Sequence, residues 1–162
     1  MSLIYWTVGI FSVAALGVVL AGQAGLFSGT EPSGLGVHDG RLKGLSSTEN
    51  CVSSQASLYP DHPQRQFADI APIALRGDGP ATIARLAQVI KSMPGSKIVV
   101  SDNDYLRAQF TTRLMKFVDD VEFWYDPAAK AIQVRSASRV GRKDFGVNRQ
   151  RVEAIRSALL AS

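Results

Sequence analysis

The feature that most constrains this chain is a long stretch without charge. Residues 1–30 contain no Asp, Glu, Lys, Arg or His, and residues 3–22 (LIYWTVGIFSVAALGVVLAG) are apolar apart from Thr7 and Ser12. As a helix rising about 1.5 Å per residue, such a run reaches about 30 Å, the thickness of a bilayer's hydrocarbon core. Tyr5 and Trp6 stand near one end, where an aromatic interfacial belt is expected. A secretory signal has a basic leading region and an apolar run of only about 7–15 residues; this segment lacks the first and exceeds the second. Residues 1–27 are therefore assigned as a transmembrane anchor or uncleaved signal. Gly22-Gln23-Ala24 offers a small-x-small cleavage site to the competing reading of a removed signal, and a buried core helix is the third reading. Charge decides orientation poorly, because Arg41 and Lys43 beyond the helix are offset by Glu31 and Asp39.

The rest of the chain has room for one domain. Residues 28–44 are rich in glycine around Pro32 and read as a flexible linker that lets the domain stand off the membrane. Residues 45–162 then form a soluble α+β domain. The clearest helix covers 80–93: Pro80 opens it, Ile83, Leu86, Val89, Ile90 and Met93 share a face, and Pro94-Gly95 stops it. Residues 97–100 and 105–111 read as two strands around a polar turn, and 117–125 and 131–138 as two more around Asp126-Pro127. Residues 67–75 contain Pro72 and allow an edge strand or two short extended pieces. A second helix over 147–160 places Val152, Ile155 and Leu159 on one side, with Asn148 or Asp144 as its cap. The expected fold is α+β: an N-terminal transmembrane helix plus a small, four-stranded, mainly antiparallel sheet packed by two helices.

Strand parity bears on chemistry. In residues 117–125, Asp120 and Glu122 share one face, while Val121, Phe123 and Tyr125 share the other with Asp119. Uniting the apolar faces pairs Phe123 with Ile132 or with Val134. The first register sets Arg135 opposite Asp120, the second opposite Glu122. Either makes Arg135, Asp120 and Glu122 structural ion pairs, in competition with an acid–base pair of carboxylates about 7 Å apart along the strand.

The sole cysteine, Cys51, excludes an intrachain disulfide and is a possible thiol nucleophile with His62 as base; its competing reading is a small buried residue. His38 and His62 stand at no metal-motif spacing, so neither a metal site nor a cofactor is expected. Residues 134–156 (VRSASRVGRKDFGVNRQRVEAIR) carry seven of the 18 basic residues against two acids. A net charge of +4 concentrated there, without interleaved aromatics, argues against a nucleic-acid partner. The loop delivers Arg142, Lys143 and Arg149 to a helix N-terminus, where backbone N–H groups and the dipole favour anions. These residues are the candidates for protein docking or anion binding. In the competing reading, Arg135, Arg139 and Arg149 are internal clamps for carbonyls and for the Asp119, Asp120 and Glu122 group. Gly141 and Gly146 are not followed by Lys-Ser or Lys-Thr, so the loop is no P-loop.

GLSSTENCVSSQ, FVDDVEFWYD and the 134–156 stretch together resemble the family known as Domain of Unknown Function 1499, over about residues 40–160. The resemblance implies a domain found behind a signal or membrane segment in bacteria and plastids, some plastid forms lying in the thylakoid lumen. By analogy this domain faces the periplasm or lumen from an inner or photosynthetic membrane. The family supplies no catalytic residues. The expected function is a non-enzymatic, single-pass accessory or assembly subunit of a larger photosynthetic or respiratory membrane complex, the domain acting as a docking module, with anionic lipid as a further candidate partner. The alternative is a small enzyme or anionic-ligand protein using Cys51 and the 139–149 loop.

Overall fold

A computed structural model describes residues 2–161. The charge-free run is helix α1, Ser2–Gln23, and 19 of its residues, Tyr5–Gln23, are long and apolar enough to cross a membrane. Only 6% of that span is covered by the rest of the chain, so its side chains satisfy the length and composition of a bilayer helix without serving as domain core.

The domain is built on five strands: β1 (Cys51–Ser53), β2 (Ser96–Ser101), β3 (Tyr105–Thr111), β4 (Val118–Asp126) and β5 (Ala131–Ser138). Their order is β1-β5-β4-β3-β2, and each neighbouring pair is antiparallel. The expected sheet had four strands. The additional one is a three-residue piece too short and too polar to show alternation, recruited by the open edge of β5. Beside it on that edge, Ile73 exchanges backbone bonds of 2.9 Å with Ile132, and a short helix α2, Arg65–Ala68, takes the start of the 67–75 stretch.

Helices α3 (Gly79–Lys91) and α4 (Val147–Ala161) pack on one sheet face. Asp78 caps α3 by accepting from the Ala81 N–H at 2.7 Å, and Pro80 occupies the first turn, where no N–H is needed. Ile83, Leu86 and Ile90 of α3 meet Val152, Ile155 and Leu159 of α4 over Leu106, Phe123 and Val134 of the sheet, a continuous apolar core. Gly79 is required by closeness: any Cβ there would fall inside the Tyr125 ring.

The other sheet face is also covered. Residues 28–44, expected as a flexible linker, lie across it with fixed partners. The Gly36 N–H donates to Glu122 Oε1 at 2.7 Å, Gln55 accepts from the Leu42 N–H at 2.8 Å and donates to the Gly40 carbonyl, and Leu42 is buried. Glycine here permits close backbone approach to the sheet, whereas composition alone suggested slack. The domain also does not stand off from α1. Gln23 Nε2 donates to the carbonyls of Arg113 (3.1 Å) and Leu114 (2.7 Å), the Met115 backbone lies against Gly22, and the rings of Phe27 and Phe117 are 5.8 Å apart.

Candidate functional site

The basic stretch is threaded into the fold from both ends. Asn50, in the turn before β1, donates to the carbonyls of Ser138 (3.3 Å) and Gly141 (2.8 Å), while its own carbonyl accepts from the Ser138 N–H and from Asn148 Nδ2. Asp144 then closes the mouth of α4: its two oxygens accept from the N–H groups of Gly146 (2.9 Å) and Asn148 (3.0 Å). The helix N-terminus expected to receive an anion is thus occupied by this chain's own carboxylate. Asn148 sits one turn further in, accepting from Ser136 Oγ and Arg151 Nη1 and donating to Asn50 and Ser138, so its amide is wholly internal.

The three docking candidates separate accordingly. Arg142 is exposed. Lys143 is exposed too, 3.1 Å from Glu49, a pairing between two solvated side chains that contributes little. Arg149 instead turns inward and donates to the Phe67 carbonyl at 2.6 Å. It holds α4 to α2, as the clamp reading of this residue requires.

The acidic strand engages its arginines on two faces. On the core face, Asp119 at the sheet rim pairs with Arg151 of α4, whose guanidinium also stacks 4.8 Å from the Phe110 ring centre. On the opposite face, beneath residues 28–44, Arg139 grips Asp120 with two bonds, Nε–Oδ2 at 2.7 Å and Nη2–Oδ1 at 2.9 Å. Glu31 of the covering segment binds Arg107 at 2.8 Å and approaches Arg139 at 3.4 Å. The register is Phe123 with Val134 and therefore Glu122 with Arg135. This ion pair is loose: Arg135 Nη1 lies 3.7 Å from Glu122 Oε2, and neither atom has a hydrogen-bond partner in its buried place. Glu122 is held by its other oxygen, which accepts from Tyr105 at 2.8 Å and from Gly36, and Arg135 by an Nε bond to the Gly44 carbonyl.

These surroundings set the protonation of the groups nearest the surface of the layer. The hydrogen bond from Arg107 does most to hold the Glu31 carboxyl below its ordinary value; burial opposes it, and the charges of Arg107 and Arg139 add to the lowering. Burial first, then the Glu122 carboxylate it faces, raise the Tyr105 phenol, which stays a protonated donor. The hydrogen bond to Asp120 raises Arg139. Asp120 and Glu122 are thus each occupied by arginine, tyrosine or backbone donors, an arrangement for holding the strap rather than for moving a proton.

Cys51 is 1% exposed, and its Sγ lies 3.7 Å from the Val52 carbonyl; no bond joins it to His62, whose Nδ1 accepts from the Gln64 N–H. Among the described residues, no three His, Cys, Asp or Glu side chains converge to hold a metal. Glu31, Asn50, Gln55, Tyr105, Arg107 and Gln109, which also donates to Glu31, were not singled out from the sequence. For Tyr105, Arg107 and Gln109 the signal was available, since they alternate on the polar side of β3; for Glu31, Asn50 and Gln55, in irregular backbone, there was none.

The domain is thus an antiparallel α+β module whose charged motifs are turned inward upon its own loops, behind a candidate membrane helix. The family model described as "Protein of unknown function (DUF1499)" matches residues 41–159, and the chain belongs to that family. No curated protein and no solved structure matches it.

Proposed function

We propose that the protein is a non-enzymatic, single-pass membrane protein, an accessory or assembly subunit of a larger membrane complex of photosynthetic or respiratory type, with its domain in the periplasm or lumen as the docking module. The observation that carries this reading is α1: a 19-residue apolar span, scarcely covered by the chain, leads into a domain whose Asp119, Asp120 and Glu122 carboxylates are engaged by its own arginines. A tether of that kind raises the local concentration of the domain at membrane partners without chemistry of its own. Of the candidate cations, Arg142 and Lys143 remain outside, open to a partner subunit or to anionic lipid. Purification of the full chain in mild detergent is expected to bring down a stoichiometric complex, and a lone monomer from native membranes overturns the reading.

A further inference from the structure

We infer that the surface formed by the 112–117 and 139–147 loops is a membrane-contact face, seated on anionic phospholipid. The inference rests on α1 being a membrane anchor and says how the domain sits upon it. The end of α1 is held against that surface: Gln23 bonds to Arg113 and Leu114, Gly22 abuts the Met115 backbone, and Gly29 reaches Arg139 and Val140. Met115 therefore lies at the depth of Gly22, the last turn of the apolar span, which is the border of the hydrocarbon. Whatever surrounds Met115 at that level meets lipid headgroups.

The side chains found there suit that boundary. Phe145 is 89% exposed and Leu114 57%, with Leu26, Phe117, Val140 and Val147 also uncovered around them. Phe145 moreover adopts φ 53°, a left-handed backbone that a bulky residue takes at a cost, and the described residues leave its side chain almost wholly open. A shallow hollow of about 270 Å³ between the two loops is lined by Phe117, Val140, Phe145 and Val147, with Lys143 at its edge. Arg113 and Arg142 are exposed in the same loops and Lys116 is half-buried; of the acids beside them, Asp144 and Asp119 also line the hollow but are buried, Asp144 on backbone N–H groups and Asp119 on Arg151, and exposed Glu49 is paired with Lys143. Apolar side chains mingled with cations, at the foot of a bilayer helix, are the composition of an interfacial anchor: the rings enter the acyl border and the cations meet phosphate. A protein partner would have to be brought to this patch. The anchor instead places lipid there at all times.

The test uses the full chain in vesicles of phosphatidylcholine with phosphatidylglycerol. Nitroxide labels are placed at Leu114→Cys, at Phe145→Cys and, as control, at Ala128→Cys. The control stands in the turn between β4 and β5, the nine-residue length of β4 away, about 30 Å at about 3.3 Å per residue. Buried Cys51 should take up no label in the parent chain. The ratio of oxygen to nickel-chelate collisions is expected to be several-fold higher at 114 and 145 than at 128, and to fall at 145 in phosphatidylcholine alone. Water-like values at 114 and 145 in vesicles whose protein survives alkaline carbonate extraction overturn the contact face and leave the anchor standing. Release by carbonate overturns both. Equal values in the two lipid compositions overturn the choice of anionic lipid.

Discussion

The two faces of the sheet are both buried but by opposite means. Under α3 and α4 the contacts are Leu, Ile, Val and Phe, non-directional and dependent on area and fit. Under residues 28–44 the contacts are Arg139 on Asp120, Arg107 on Glu31, Tyr105 and Gly36 on Glu122, and Gln55 on the backbone of 40–42. An apolar face accepts any well-fitting cover, whereas a face of paired charges accepts one whose donors and acceptors match. The difference explains how a glycine-rich strap with little apolar surface can be held at all: it supplies backbone N–H and carbonyl groups where the sheet lacks partners.

The comparison is tested hardest by one deletion on each face. Phe123→Ala, at the centre of the apolar face, is expected to cost about 3–5 kcal/mol. Arg139→Ala is expected to cost a similar amount, about 3–5 kcal/mol, because it leaves Asp120 charged and alone in the interior. Chemical denaturation of the full chain in mild detergent measures both; a loss under about 1 kcal/mol for Arg139→Ala would mean that water reaches Asp120 and the polar face is not sealed. The loose pair sharpens the point. Arg135→Met alone strands Glu122, so adding Glu122→Gln to it should recover stability, the double variant lying above the single in the same experiment. If the double variant is the weaker of the two, the Glu122 carboxylate stabilises the fold through Tyr105 and Gly36 even without Arg135.

Smaller effects belong to the strap itself. Glu31 is half exposed, so Glu31→Gln should change global stability by less than about 1 kcal/mol while loosening residues 28–44. Trp124 reports this directly, since Gly40 lies against its ring, and emission can be read in a Trp6→Phe background. Acid should imitate the variant. The folded Glu31 carboxyl titrates below its unfolded value, so its contribution is complete above about pH 4.3 and is lost as pH falls through the lower folded value. Trp124 emission is expected to stay constant from neutral pH down to about 5 and to shift only in stronger acid. A shift centred near neutrality would assign the strap to another group. The smallest expected change is none: Cys51 should resist alkylation at neutral pH until denaturant unfolds the domain, and a thiol that reacts in the folded chain would restore the nucleophile reading.

Much of this was legible in residues alone. The span of α1 follows from length and lack of charge, α3 from its proline, stripe and stop, and the four long strands from alternation, because each signal is carried by neighbours in the chain. Parity even reduced the pairing of Arg135 to two partners, Asp120 or Glu122, and the structure took the second. Local pattern could not assign the remaining arginines. Arg139 and Arg149 were named as internal clamps without fixed partners, and folding set Arg139 on Asp120, Arg149 on the Phe67 carbonyl and Arg151 on Asp119.

The sequence by itself determined a charge-free span, an α+β domain behind it and a concentration of positive charge near the end, since hydropathy and periodicity are properties of the chain. Only the tertiary structure decided that residues 28–44 are a strap rather than a tether, that the mouth of α4 is closed by Asp144, and that α1 ends against the 112–117 loop. Those outcomes depend on which groups meet after folding. A glycine-rich segment reads alike whether it is solvated or pressed to a sheet, and an arginine's role is set by the nearest acceptor in space.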